Sequence, residues 1–440
     1  MSVIENFSSH VQAAFTSQNL PLFASLFQLE AHNPGVASLR QALSQINDVQ
    51  CEQIVESVLG DESAALTAFV IAYLQLLRHL SDSNMVLAYE YFEKFYNCLI
   101  PVFNGPDTYY QVPLVKTLSS KLVRLGFDVD RHAHLRGKAS KAHAAARLLS
   151  KMFNIMLADR SPMETSKRQG IFYVTNLAFR VYFKLDATRL CQTFIANIRT
   201  GGVDLLLFPM ADQVTYRYYL GRYHLYQNRL KKAEEHLLFA FEKCPVQQWH
   251  NKRKPSSLIL KYLIPCRILL GRFPNAVLLN KYRLSEPFSE LIYQMKRGNL
   301  HAYLAHIDKY FQFFYKTYTY VILRERGRVL VWRSLMRRTW LLTCSPGVGH
   351  ILLYNDCVKA LQYSAKDLTL DLNDMESILV SLITQKYIRG YLHHQKQQVV
   401  LSKVNPFPAV SQVRLYTEVY NEEAMNRHQA HVPHAVSAFQ

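Results

Sequence analysis

Arg324, Arg326, Arg328, Arg333, Arg337 and Arg338 crowd the stretch 324–338, and Lys386, Arg389, His393, His394, Lys396 and Lys403 follow further on. Cations spaced along a surface can neutralise successive phosphates of a nucleic-acid backbone. Such contacts give strongly salt-dependent affinity and little base specificity. Any one of these side chains is equally accounted for by a solvated helix face or a local ion pair. Arg324, Glu325 and Arg328 have the spacing of an intrahelical pair. As a cluster they favour binding, and the candidate nucleic-acid ligands are Arg324, Arg328, Arg333, Arg337, Arg338, Lys386, Arg389, His394, Lys396 and Lys403.

Other chemistry finds little support. GxSxG, HExxH, GxxxxGK and a GxGxxG after a strand are all missing from the sequence. Cys344-Ser345-Pro346-Gly347-Val348-Gly349-His350 holds a Cys–His pair among glycines, but a connecting loop accounts for it better. His428, His431 and His434 are close in sequence, yet Pro433 interrupts any helix that would align them. No catalytic residue, metal site or cofactor is expected. The seven cysteines are scattered and form no CxxC, which fits reduced thiols in the cytosol or nucleus.

The charge balance is uneven along the chain. The 440 residues carry 51 Lys/Arg and 33 Asp/Glu, a net of +18. Residues 1–120 hold four basic and eleven acidic side chains, so the remainder stands at +25. That asymmetry implies an acidic or polyanionic partner for the later part of the chain, or merely aids solubility. The N-terminus has no basic-then-apolar leader, and the apolar stretches are broken by Gln75 and Arg78 or by Lys261 and Arg267. A soluble intracellular protein without a membrane span is expected.

The elements that must carry the cations are mostly helices. Leu66, Phe69, Val70, Tyr73, Leu74 and Leu77 form one stripe at helical spacing. Ala88, Phe92, Phe95 and Leu99 form a second, and Ala145, Leu148, Leu149, Met152, Phe153 and Met156 a third. Phe172, Asn176, Phe179, Tyr182 and Phe183 open a fourth. The 27 tyrosines and 24 phenylalanines are read as filling helix–helix seams. Leu220-Gly221, Ala233, Ala240 and Pro245 match relative positions 7, 8, 20, 27 and 32 of a tetratricopeptide (TPR) helix pair, with Arg217 where a tryptophan is usual. A helix follows from Ser257 to Leu270. Another pair opens from Arg297 to His306, with Gly298 as punctuation.

The period changes near the C-terminus. Met375, Ile378, Leu379, Leu382 and Ile383 make one helical face, which Asn373 and Glu376 could start as a capping box. Two strands follow, Tyr387–Leu392 and Gln398–Leu401, joined by the polar His393–Gln397. Helix then hairpin is the layout of a winged helix, and strands are expected only after about Leu370. The chain thus reads as an all-α solenoid of TPR-like helical repeats with a C-terminal winged-helix module. Its parts are N-terminal repeats (1–200), a TPR-like part (201–340), a winged helix (341–408) and a flexible tail (409–440). Val246–Ser256, with Lys252-Arg253-Lys254-Pro255, reads as a basic inter-helix loop.

Helical repeats joined to a terminal winged helix resemble a PCI domain. Finer likeness comes from Leu205–Pro209, Val214–Gly221, Ala233–Leu237, Tyr262–Pro265 and Leu269-Leu270-Gly271, then Lys386–Tyr391, Val400–Lys403 and Asn405–Pro408. These segments are similar to the branch containing the PCI subunit of the TREX-two messenger-RNA export complex and the signalosome-associated subunit twelve. The Lys252–Ser256 insertion departs from that pattern. The resemblance implies a non-catalytic scaffold or adaptor of messenger-RNA export in the nucleus, at the nuclear envelope or pore. It further implies a winged helix docked on a larger PCI scaffold subunit, a small acidic disordered subunit wrapping the repeats, and a basic surface offered to RNA or DNA. The alternative is a COP9 signalosome-associated or splicing-linked subunit whose winged helix serves protein assembly alone.

Overall fold

The first apolar stripe becomes the buried face of the helix Ala64–His79, where Leu66, Phe69, Val70, Tyr73, Leu74 and Leu77 are all fully buried. It packs against Met85–Asn104, and the Phe69 and Phe95 rings stack at 4.8 Å across the seam. The third and fourth stripes line Lys141–Ala158 and Ile171–Lys184, which also pack together. Buried tyrosines keep partners for their hydroxyls: Tyr73 donates to the Gln28 carbonyl at 2.6 Å and Tyr89 to that of Lys141 at 2.8 Å. Asn176, the polar member of its stripe, donates to the Asp212 carbonyl. The aromatic abundance is therefore seam filling, with the hydroxyls of Tyr73 and Tyr89 satisfied by backbone carbonyls.

The computed structural model describes residues 3–30, 33–60, 63–79, 84–244, 255–343 and 349–413. The chain forms two units, Met1–Tyr219 and Leu220–Gln440. The division falls inside the helix Met210–Tyr226, downstream of the 200–201 boundary read from the repeat pattern. Most of the basic loop at 246–256, the cysteine-bearing loop at 344–348 and the three tail histidines lie outside the described residues.

In the second unit the TPR signature does what its small residues allow. Ala233 and Ala240 are fully buried on Leu230–Lys243. A Cβ on Gly221 would come within 2.6 Å of Leu237 Cγ and 3.2 Å of its backbone nitrogen, so the helix pair closes only around glycine. Glu234 is buried on the same helix, and both its carboxylate oxygens take hydrogen bonds from Arg272, at 2.7 and 2.8 Å. Gly298 ends Ser285–Arg297 in the left-handed conformation before Leu300–Lys309 begins.

The C-terminal module has a three-stranded antiparallel sheet in the order β1-β3-β2. Its strands are β1 (Ile351–Leu353), β2 (Gly390–His393) and β3 (Gln398–Leu401). Ile351 pairs with Val400, and Gly390 with Leu401. Tyr354–Ala365 and Leu372–Thr384 complete the winged helix. The expectation that strands occur only after about Leu370 is corrected by β1. Three apolar residues in a row show no alternation, and only pairing with β3 makes them a strand. The capping box is also corrected. Asp371 is the N-cap, accepting from the Asn373 and Asp374 amides, while the Asp374 carboxylate accepts from the Asp371 amide. Asp and Asn cap comparably, so sequence alone left the helix start open by two residues. Residues 409–413, assigned to the flexible tail, form a 3₁₀ turn ending in buried Val413. The rest of that tail lies outside the described residues. The architecture is an all-α array of TPR-like repeats with a C-terminal winged-helix module.

A half-buried imidazole makes the second unit sensitive to acid. The His224 ring lies 5.4 Å from that of His236, and its Nδ1 has no hydrogen-bond partner among the described residues. Burial first, then the charges of His236, Arg229 and Lys232, pull its pKa from 6.5 to about 4. Unfolding restores the ordinary value, so the unfolded state binds more protons between these limits. Stability is full above pH 6.5 and falls as pH drops towards 4. Lowering pH from 7.5 to 5 should cost this unit about 1–2 kcal/mol, read as a lower urea midpoint. His224→Gln should flatten that dependence.

Candidate nucleic-acid interface

The cations divide between a 24-residue helix, Tyr320–Thr343, and the winged helix that follows it. Leu323, Gly327, Leu330, Val331, Leu335, Met336 and Thr339 form the buried face of this arginine helix. Gly327 belongs there because a Cβ would collide with the Tyr303 hydroxyl, which donates to the Leu323 carbonyl at 2.9 Å. The helix is thereby held against Leu300–Lys309. The winged helix is fixed to the same frame by Ser364, whose hydroxyl donates to the Gly298 carbonyl and accepts from the Leu300 amide.

The first half of the arginine helix is already neutralised. Arg324 donates to Asp308 Oδ1 at 2.8 Å and to the Tyr320 hydroxyl at 3.1 Å. The bond to Asp308 raises the Arg324 pKa, which keeps the pair ionised. Arg328 lies 3.8 Å from Glu325, the intrahelical pair that the spacing suggests, and over the Trp332 ring. Arg326 is half-buried.

Arg333 turns inward. Its Nη2 donates to the carbonyls of Phe407 and Pro408, at 3.1 and 2.6 Å. Burial, then the neighbouring Arg337 charge, hold its pKa below the usual guanidinium value. Trp340 donates to the Gly349 carbonyl and lies against the Phe407 ring. The Asn405–Pro408 segment, conspicuous in sequence as a motif, thus clamps the hairpin to the arginine helix. The Arg389 amide also donates to the Pro406 carbonyl at 2.8 Å.

Arg337 and Arg338 are exposed, as are Lys386, Arg389, Lys396 and Lys403. Lys386 has φ 67° at the turn that ends the helix Leu372–Thr384. Arg389 precedes β2, Lys396 sits in the β2–β3 connection, and Lys403 follows β3. None of these six has an acidic partner among the described residues. His394 is also exposed, but its Nδ1 lies 2.9 Å from Glu376 Oε1, which accepts from the Tyr354 hydroxyl as well. The His394 bond leads the causes that hold the Glu376 carboxyl below its ordinary pKa. His394 therefore ties the wing to the helix Leu372–Thr384.

What this site can do is electrostatic. Two exposed arginines and four exposed wing cations offer donors without an internal acceptor, the requirement for phosphate contacts. Among the described residues no group of three His, Cys, Asp or Glu could hold a metal, and no helix is long and apolar enough to cross a membrane. Sequence reasoning missed the inward turn of Arg333, because its acceptors lie more than seventy residues downstream in sequence.

Residues 323–403, from the arginine helix through the wing, match the PCI domain family. A PCI domain-containing protein of Schizosaccharomyces pombe is 33% identical over 351 residues, covering 76% of this chain and 78% of its own length. Enhanced ethylene response protein 5 of Arabidopsis thaliana is 31% identical over 90% of this chain and 93% of its own. PCI domain-containing protein 2 of Xenopus laevis is 29% identical over 93% and 98%. Likeness of this extent reaches well beyond the winged helix into the repeats, and the chain belongs to the PCI domain-containing protein 2 family.

Proposed function

We propose that this chain is a non-catalytic adaptor of nuclear messenger-RNA export, built around a PCI scaffold that offers its wing to RNA or DNA. The observation that carries the reading is the set of exposed cations Arg337, Arg338, Lys386, Arg389, Lys396 and Lys403, which have no acidic partner among the described residues. Neutralising phosphates is the function they are suited to. The net charge of +25 beyond residue 120 also favours a small acidic, disordered subunit lying along the repeats. A larger PCI scaffold subunit would dock on the winged helix, where Leu342 at the end of the arginine helix is 83% exposed and Leu353 on the edge strand β1 is 50% exposed.

Affinity purification of the tagged chain from nuclear extract under mild conditions tests the assignment. A larger PCI protein, a small acidic protein and RNA should copurify. Signalosome subunits in their place, without RNA, would support the assembly-only reading that Leu342 and Leu353 also permit. The partners should also stabilise the chain. A ligand at a hundred times its Kd adds about 2.7 kcal/mol, so coexpression should raise the melting temperature by several degrees. A chain whose melting is indifferent to both partners would count against an adaptor.

A further inference from the structure

A cavity of about 400 Å³ opens beside the arginine helix, outside the wing. Arg333, Ser334, Arg337 and Arg338 form one side of it, Lys296 reaches it from the helix Ser285–Arg297, and Ser411 closes it from the turn after the winged helix. No acidic side chain lines it among the described residues. Four cations therefore surround one recess with no anion to compensate them. The cost is visible at Arg333, which is half-buried beside Arg337 and is met only by two carbonyls. Its Nε, also buried, has no hydrogen-bond partner among the described residues. Like charges sharing one recess disfavour one another, and an anion placed among them would relieve that.

The rest of the lining limits what that anion can be. Lys296 Nζ is held 4.5 Å above the Phe273 ring, so its position is set in advance. Met295 and Leu330 supply an apolar floor, and the Ser411 hydroxyl has no partner among the described residues. The volume is at the lower end of small-molecule sites. One phosphoryl group brings about two negative charges at neutral pH, short of what four cations call for.

We propose that this pocket binds a small anion carrying two linked phosphoryl groups, whether free or borne by a nucleoside. The site stands independently of any grip of the wing on a nucleic-acid backbone. Its own discriminating residue is Lys296, which lies outside the wing and outside the nucleic-acid set.

Isothermal titration of the full 440-residue chain with inorganic pyrophosphate and with adenosine diphosphate, at constant ionic strength, tests it. Both should bind with one-site stoichiometry, and sulfate should bind at least tenfold more weakly. Comparable affinity of the two probes identifies the linked phosphates as the recognised group. A tighter diphosphate nucleoside adds the apolar floor to the site. Lys296→Glu and Arg338→Glu should each weaken binding at least tenfold, with Lys296→Gln giving a smaller loss. Both side chains are exposed, and unchanged melting of the variants establishes that they fold. The triple variant Lys386→Glu, Arg389→Glu, Lys396→Glu should retain pyrophosphate affinity within twofold while losing nucleic acid. Absent binding, sulfate equal to pyrophosphate, indifference to Lys296→Glu, or equal loss in the wing variant would each overturn the proposal.

Discussion

Changing Arg337, Arg338, Lys386, Arg389 and Lys396 together to Glu should remove most of the nucleic-acid affinity of the assembled protein. Each is exposed, and none is engaged by a carboxylate among the described residues. If each meets one phosphate, the slope of log affinity against log salt should lie between about −3.5 for single strands and about −4.5 for duplex. Raising salt from 50 to 200 mM should then weaken the wild type by roughly two to three decades. The reversed protein should have a nearly flat salt response and bind all sequences weakly, since phosphate contacts carry no base information. Fluorescence anisotropy at the two salt concentrations reads both effects. Partner assembly should survive, because exposed substitutions away from a packed core change stability by only about half a kcal/mol each. Equal affinity in wild type and variant would leave the winged helix as an assembly device.

How far the sequence reveals this site depends on what positions each cation. The repeats and the helix before the hairpin were legible because burial imposes a period, and Leu66 to Leu77 or Met375 to Leu382 display it openly. The close helix pair was legible because Gly221 and Ala233 are small at fixed offsets. The state of each arginine was not. Arg324 is spent on Asp308, sixteen residues upstream, and Arg333 on carbonyls of Phe407 and Pro408. His394 is met by Glu376 across the module. Periodicity says which face of a helix is wet, but a long side chain chooses its partner through tertiary neighbours that no local pattern encodes. The structure turns Arg333 inward, where its Nη2 is held by two backbone carbonyls, which no local pattern could foretell.

The same division between local pattern and tertiary burial sets the largest expected stability effect. Leu379 is fully buried on the helix Leu372–Thr384, which packs against Tyr354–Ala365, the arginine helix and β2. Leu379→Asp removes a leucine from that core and asks it to accept a carboxylate. The lost burial alone is worth about 2–3 kcal/mol, and an unpaired polar group in an apolar site adds at least as much. A total above about 4 kcal/mol should unfold the winged helix at temperatures where the unit Met1–Tyr219 persists, giving a two-step melt and early proteolysis after residue 320. Ile378, half-buried one position earlier, should tolerate polar change better. Val380, next in the helix and 48% exposed, provides the control, because Val380→Asp adds the same charge to the same helix. That variant should shift stability by no more than about 0.5–1 kcal/mol, mostly through helix propensity. A comparable loss from both substitutions would mean that charge on the helix, and not burial of Leu379, limits the module. A large loss confined to Leu379→Asp places the stability of the cation-bearing wing in the apolar face beneath it.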